Sequence, residues 1–222
     1  MSRRNCLKLL AAAPLLSASW SALAAVTLDP AKDYSVLSPA QAGGSNGQIE
    51  VLEFFSYGCP HCAAFDPKLS QWRAAQGKDV VFQRVPVSFG RREWGALGRL
   101  YLTLRALGLA DKLDSKVFDA VHKSYLKLED EAVRNDWLGK QGVDVKKFND
   151  TWRSFGIESQ VKRADQMAET YKVDSVPMLV IDGKFIPRDG GVAGEDAGHN
   201  RVLVNAGELV ARVRASKAMA KK

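Results

Sequence analysis

The sequence predicts an α/β fold in which strand-bearing segments near both ends enclose an all-helical block. Three observations carry that prediction. Residues 49–55 (IEVLEFF) and 80–87 (VVFQRVPV) are short runs of β-formers. From Arg91 to Gly156, apolar residues recur at helical spacing with no strand-like run among them. Residues 178–186 then hold two more short apolar runs joined by Asp182-Gly183, a strong hairpin signal. No internal repeat or low-complexity tract interrupts the pattern.

The first 24 residues stand apart. Arg3, Arg4 and Lys8 precede an apolar run broken by Pro14, Ser17, Ser19 and Ser21, and Ala22-Leu23-Ala24 has the small-x-small form of an export cleavage site. Residues 1–24 are therefore expected to be a cleaved signal peptide, taking Cys6 with them. The run is too short and interrupted for a membrane span. Ser2-Arg3-Arg4 leaves the general and the twin-arginine export routes both open; each ends across the inner membrane. The chain carries 32 basic and 25 acidic residues, net +7. Removal of the signal leaves 198 residues at +4, enough for one domain with its own core. Basic and aromatic residues are not interleaved in a way that suits nucleic acid, and Lys217, Lys221 and Lys222 read as a solvated tail.

Along the rest of the chain, residues 49–55, preceded by the turn-rich GGSNG at 43–47, read as a buried strand. They lead directly into a helix with Cys62, Phe65, Leu69 and Trp72 on one face. Pro60 suits the first turn of that helix, where its missing N–H is not needed, and Pro67 should bend it. Residues 80–87 form a second strand. In the helical block Trp94, Leu97, Tyr101 and Leu104 share a face, as do Leu113, Val117 and Val121, and then Phe148, Trp152 and Phe155. Gly108, Gly142 and Gly156 mark helix ends and Asp144 an N-cap. A further helix spans about 157–172. Strands at Met178–Ile181 and Lys184–Ile186 follow, then a Gly-rich loop at 189–200 and a last helix near 201–215.

Once Cys6 is gone, Cys59 and Cys62 are the only thiols left, in the run Cys59-Pro60-His61-Cys62. A disulfide between them closes so small a loop that it adds little to fold stability, which leaves chemistry as its use. Cys59 falls at a helix N-terminus, where unpaired N–H groups and the macrodipole favour an anion, and His61 can add a donor or a positive charge. Both effects favour the thiolate that attacks disulfides. Cys62, one turn into the helix, should be the more buried, resolving thiol. Stabilising the thiolate stabilises the reduced protein and makes the oxidised one a better disulfide donor. Each pKa unit is worth about 1.4 kcal/mol, or about 30 mV. Half a zinc site is the alternative for a C-x-x-C pair, but no second pair exists and His122 and His199 lack ligand spacing. An inert structural disulfide and an idle surface histidine are the others. No metal or separate cofactor is expected, only the Cys59–Cys62 disulfide.

VLEFFSYGCPHC, together with Val176-Pro177 immediately before a strand, resembles the DsbA family of bacterial periplasmic thiol–disulfide oxidoreductases. The resemblance covers essentially the whole chain after the signal. It implies a thioredoxin-like fold with an inserted all-helical domain: residues 25–90 and 157–222 as the two thioredoxin-like parts, 91–156 as the insertion. It further implies Cys59 as nucleophile, Cys62 as its buried partner, Pro60 and His61 as the residues between them, and His61 as the stabiliser of the thiolate. Pro177 matches a cis-proline facing the site, and Val176 offers backbone groups to a bound peptide. Glu53 matches a buried carboxylate that assists proton transfer to Cys62; a solvent-facing strand acid is the other reading. Gly58 departs from the family, where something bulkier is usual, and implies a flatter or more open surface around the sulfur.

The function expected on this basis is a periplasmic oxidase. It would donate its disulfide to unfolded exported proteins and be reoxidised by a DsbB-type, quinone-linked inner-membrane partner. A disulfide isomerase on a similar fold is a dimer with a separate N-terminal domain, for which the roughly 25 residues before the first strand are too few; a monomer is expected instead. A reductase and a non-catalytic peptide-binding chaperone remain the rivals, separated by redox titration and by replacement of both cysteines.

Overall fold

The computed structural model describes residues 27–220. The signal peptide and the loss of Cys6 fall on residues outside that range. The elements are β1 (Tyr34–Val36), β2 (Ile49–Phe55), α1 (Pro60–Ala74), β3 (Val80–Pro86), α2 (Arg92–Ala106), α3 (Ala110–His122), α4 (Glu131–Lys140), α5 (Val145–Trp152), α6 (Phe155–Thr170), β4 (Met178–Ile181), β5 (Phe185–Pro187) and α7 (Glu195–Met219).

The strands form one sheet in the order β1-β5-β4-β2-β3, with β2 and β3 parallel and the other pairs antiparallel. Helices cover both faces, which is why β2 is apolar throughout rather than alternating. On one face Ile49, Val51, Leu179 and Ile181 pack beneath Phe65 and Leu69 of α1 and Leu203, Ala206 and Leu209 of α7. On the other, Leu52, Phe54, Val85 and Val180 pack against Ala164 and Tyr171 of α6. A third cluster joins Phe55, Tyr57, Cys59 and Cys62 to the buried faces of α2–α5 and to Ile157 of α6. The C-terminal end of β2 and the start of α1 thus lie in the seam between sheet and helical block. Each fully buried Leu or Phe contributes about 1.5–3 kcal/mol.

Local chemistry accounts for the element ends. Pro60 is the first residue of α1. Asp144 caps α5 by accepting from the Lys147 N–H, as its position suggests. In the hairpin Asp182 and Gly183 have φ of 52° and 65°, the two positive values that a type I′ turn requires.

The structure departs from expectation in several places; Lys217, expected in a solvated tail, lies in the last helix and pairs with Asp182 at 2.8 Å. Ser154 accepts from the Ile157 N–H and starts a new helix at Phe155. Gly156 therefore lies in a first turn rather than at a helix end, and Phe155 is 84% exposed instead of sharing the face of Phe148 and Trp152. The last helix begins at Glu195, six residues before the expected start, because Glu195 and Asp196 in its first turn suit the positive end of the dipole despite the glycines around them. The second hairpin strand is displaced by one residue, to Phe185–Pro187. Strand β1 has no signal of its own: three residues cannot display a period, and they become a strand by pairing with β5, about 150 positions later.

Candidate active site

Cys59 is the N-cap of α1 and Cys62 lies one turn in; they are 4% and 0% exposed. The Cys59 thiol donates to the carbonyl oxygen of Val176 at 3.4 Å, across the seam from a cis Val176-Pro177 peptide. The loop before Cys59 is held from both sides. His122 of α3 reaches the Tyr57 carbonyl through Nε2 at 2.7 Å, and the Gly58 N–H donates to Ser56 Oγ at 3.1 Å.

The two thiols differ sharply in acidity. The Cys59 pKa is lowered to about 6, first by the hydrogen bond from the Cys62 thiol, then by the backbone N–H groups of Cys62 and His61 and by the His61 charge, against the opposing effect of burial. Burial drives Cys62 far upward, reinforced by the hydrogen bond to Cys59 and by its charge. His61 therefore contributes to the thiolate but is not its main support; the sulfur beside it and the helix start are. The imidazole is 64% exposed, and its Nδ1 lies 2.7 Å from Oε1 of Glu195, the first residue of α7. That contact raises the His61 pKa.

Glu53 is wholly buried, which removes the solvent-facing reading. Its Oε2 accepts from Arg84 Nε at 2.5 Å; its Oε1 has no hydrogen-bond partner among the described residues. Arg84 gives its other two nitrogens to Asp66 of α1, at 2.6 Å, and Asp114 of α3, at 3.0 Å. Asp114 also accepts from the Tyr57 hydroxyl, and Asp66 from Ser115 Oγ at 2.9 Å. Burial raises the Glu53 pKa to about 7, with Arg84 pulling it back down, and burial likewise raises that of Asp114. One guanidinium facing three buried carboxylates leaves room for a proton to stay in the network at neutral pH.

Sequence reasoning missed Arg84, Asp66, Asp114, Tyr57 and Glu195 as members of this environment. Arg84 carried a signal that went unused: like Glu53, it is a charge interrupting an apolar strand. The expectation of an open surface at Gly58 is corrected. A Cβ there would fall 2.5 Å from Nε1 and 2.7 Å from Cδ1 of Trp94, so the indole of α2 occupies the space a side chain would take. Arg91 covers that ring at 4.6 Å.

A groove of about 820 Å³ opens beside the sulfur, bounded by His61, Phe65, Tyr171, Val176, Pro177 and Met178 among others. Val176 and Pro177 line it, and the Val176 carbonyl, 117 positions from Cys59, takes the hydrogen bond of its thiol. The arrangement sets an acidic sulfur at a helix start beside the groove, with a second, fully buried sulfur one turn in, near a carboxyl of near-neutral pKa.

Comparison with known proteins agrees with this chemistry. Residues 50–197 match the model of the DSBA-like thioredoxin domain. The thiol:disulfide interchange protein DsbA of Pseudomonas aeruginosa is 40% identical over 154 residues, 69% of this chain and 72% of that one. The protein of the same name from Pseudomonas syringae pv. tomato is 36% identical over 216 residues, 96% and 99% of the two chains. The crystal structure of Pseudomonas aeruginosa DsbA superposes with a TM-score of 0.76 at 36% identity, covering 86% of this chain and 96% of that one. That of reduced DsbA1 from Neisseria meningitidis gives 0.73 at 28% identity, covering 87% and 99%. With its mixed sheet, its helical insertion and its paired thiols of opposite acidity, the chain belongs to the DSBA-like thioredoxin domain family and is a protein thiol–disulfide oxidoreductase.

Proposed function

We propose that the protein works as an oxidase of the periplasm, a monomer that passes its Cys59–Cys62 disulfide to unfolded exported proteins and regains it from a quinone-linked membrane partner of the DsbB type. The observation that carries this direction is the lowered pKa of Cys59 beside the raised one of Cys62, on two sulfurs set together at the start of α1. At pH 7 a thiol with a pKa of about 6 holds its thiolate about 1.4 kcal/mol more firmly than one that stays protonated, worth about 30 mV toward the reduced form. Cys62 stays protonated at that pH in folded and unfolded chain alike, so it does not cancel the gain. The compartment rests on the signal-like pattern of residues 1–24.

The steps follow from the geometry. A substrate thiolate attacks Cys59 Sγ; the Cys59–Cys62 bond breaks and a mixed disulfide forms. Cys62 leaves as a buried thiolate, which takes a proton, and Glu53, with a pKa of about 7, is the nearby acid suited to supply it. A second substrate thiolate then attacks the substrate's own sulfur in the mixed disulfide, and Cys59 leaves as a stable thiolate. Val176 and Pro177 border the groove in which the substrate chain lies. Residues 91–156 serve as the insertion between thioredoxin-like parts 25–90 and 157–222; Ile157 and Val161 at the start of α6 pack with the helical block and Ala164 and Tyr171 with the sheet, in keeping with a boundary there.

The test is the equilibrium of Cys59–Cys62 with glutathione, combined with trapping. The protein should be reduced by glutathione far more readily than an ordinary structural disulfide. Cys62→Ser should accumulate mixed disulfides through Cys59, whereas Cys59→Ser should not. An equilibrium lying on the oxidised side supports the reductase instead, and equal trapping by both variants overturns the assignment of the two sulfurs.

A further inference from the structure

The last helix reaches the redox site through one carboxylate. Glu195 Oε1, in the first turn of α7, lies 2.7 Å from Nδ1 of His61, the second residue of α1. The same oxygen is 3.9 Å from Nε2 of His199. Two helix starts are thus joined at the histidine between the two sulfurs.

The placement of Glu195 is built rather than incidental. Gly194 turns the chain into α7 with φ of +90°, a conformation that side chains rarely adopt. Lys68 of α1 then ties down the next turn, pairing with Asp196 and Asn200, each at 2.9 Å. His199 packs its ring on Phe65 at 4.9 Å. The carboxylate is held at His61 by a clamp that does not involve the thiols.

We propose that Glu195 is a positioning residue of the redox site, holding His61 by its Nδ1–H so that the charged imidazole stays beside Cys59. The proposal rests on the oxidase reading and names a residue that tunes it. An ionised carboxylate only accepts hydrogen bonds, so its contact requires the proton on Nδ1. The charged and titratable groups around His61 are Cys59 on its own helix, Glu195, Asp196 and His199 from α7, with Lys68 paired to Asp196, and Lys172, Asp174, Arg188 and Asp189 in the lining of the groove it borders. Glu195 and Cys59 are the charges that move its pKa, both upward. His61 in turn lowers the pKa of Cys59.

Glu195→Gln keeps the acceptor and removes the charge. In the oxidised protein, which has no thiolate, the His61 pKa read by NMR should fall by about half a unit, the size of an exposed pair. In the reduced protein, the thiolate fraction of Cys59 in wild type should exceed that of the variant by up to about twofold near pH 6–7. The ratio should return to one below about pH 5, where His61 is charged in both, and at high pH, where it is neutral in both. In a His61→Ser background Glu195→Gln should have no effect on the thiolate. An unchanged His61 pKa, a pH-independent ratio, or the same effect without His61 overturns the proposal. The oxidase reading fails separately, through the wild-type equilibrium with glutathione, and the measurement on the oxidised protein does not depend on it.

Discussion

Glu53 and Arg84 stand opposite one another on the parallel strands β2 and β3, joined at 2.5 Å and both removed from solvent. Their pairing is set by strand register, so neither can turn away. Arg84 is thereby the hub on which carboxylates from β2, α1 and α3 converge beneath the two sulfurs. The same guanidinium that holds back the rise of the Glu53 pKa also ties the helical block, through Asp114, to the sheet.

Arg84→Met should destabilise the protein by about 3–5 kcal/mol, because it strands buried carboxylates without compensation. The loss should shrink as pH falls and those carboxylates take up protons. Arg84→Lys should sit between, since a single ammonium cannot serve three carboxylates at fixed angles. Denaturant melts across pH 4–8 check this; a Met variant as stable as wild type at neutral pH would mean that the network contributes nothing net.

Glu53→Gln should slow disulfide exchange severalfold and leave the fold intact. The stability effect has a definite sign. Burial lifts the folded pKa of Glu53 to about 7, above that of an unfolded glutamate at about 4.3. Wild type therefore loses stability as pH rises between those values, and the Gln variant lacks that loss. Relative to wild type, the variant should gain stability with pH across the window, with a limiting slope of about 1.4 kcal/mol per unit. Parallel curves would place Glu53 outside the role of a near-neutral acid.

The reduced protein should gain stability over the oxidised one as pH rises above 6. The folded pKa of Cys59, about 6, lies below the unfolded value, so its stabilising contribution is complete above the unfolded pKa and is lost as pH falls through 6. At pH 7 about 1.4 kcal/mol of it is present. Paired melts of the two redox forms between pH 5.5 and 8.5 measure it, and a pH-independent difference would show no thiolate stabilisation.

Gly58→Ala should cost about 1–3 kcal/mol, the range for forcing a methyl into a packed site, because the new Cβ meets the Trp94 indole at 2.5 Å. In a Trp94→Leu background the penalty should largely vanish. Thermal melts of the two single variants and the double variant test that coupling.

Some of this was determined by the sequence itself. The redox pair, the helix that starts on Pro60, the buried β2, the I′ turn at Asp182-Gly183 and the cap at Asp144 all arise from neighbours within a few positions, so spacing and residue type suffice to read them. Folding decided the rest by bringing distant segments together. A three-residue β1, the convergence of Asp66 and Asp114 on Arg84, the indole over Gly58 and the carboxylate of Glu195 on His61 all depend on pairs between about 18 and 150 positions apart. Local pattern is blind to such meetings, because a carboxylate on a helix reads as a solvated face until another element buries it. The acidity of Cys59 lies on the boundary. Its direction follows from a helix N-terminus with a histidine nearby, but its principal cause is the packing that sets Cys62, dry and protonated, against it.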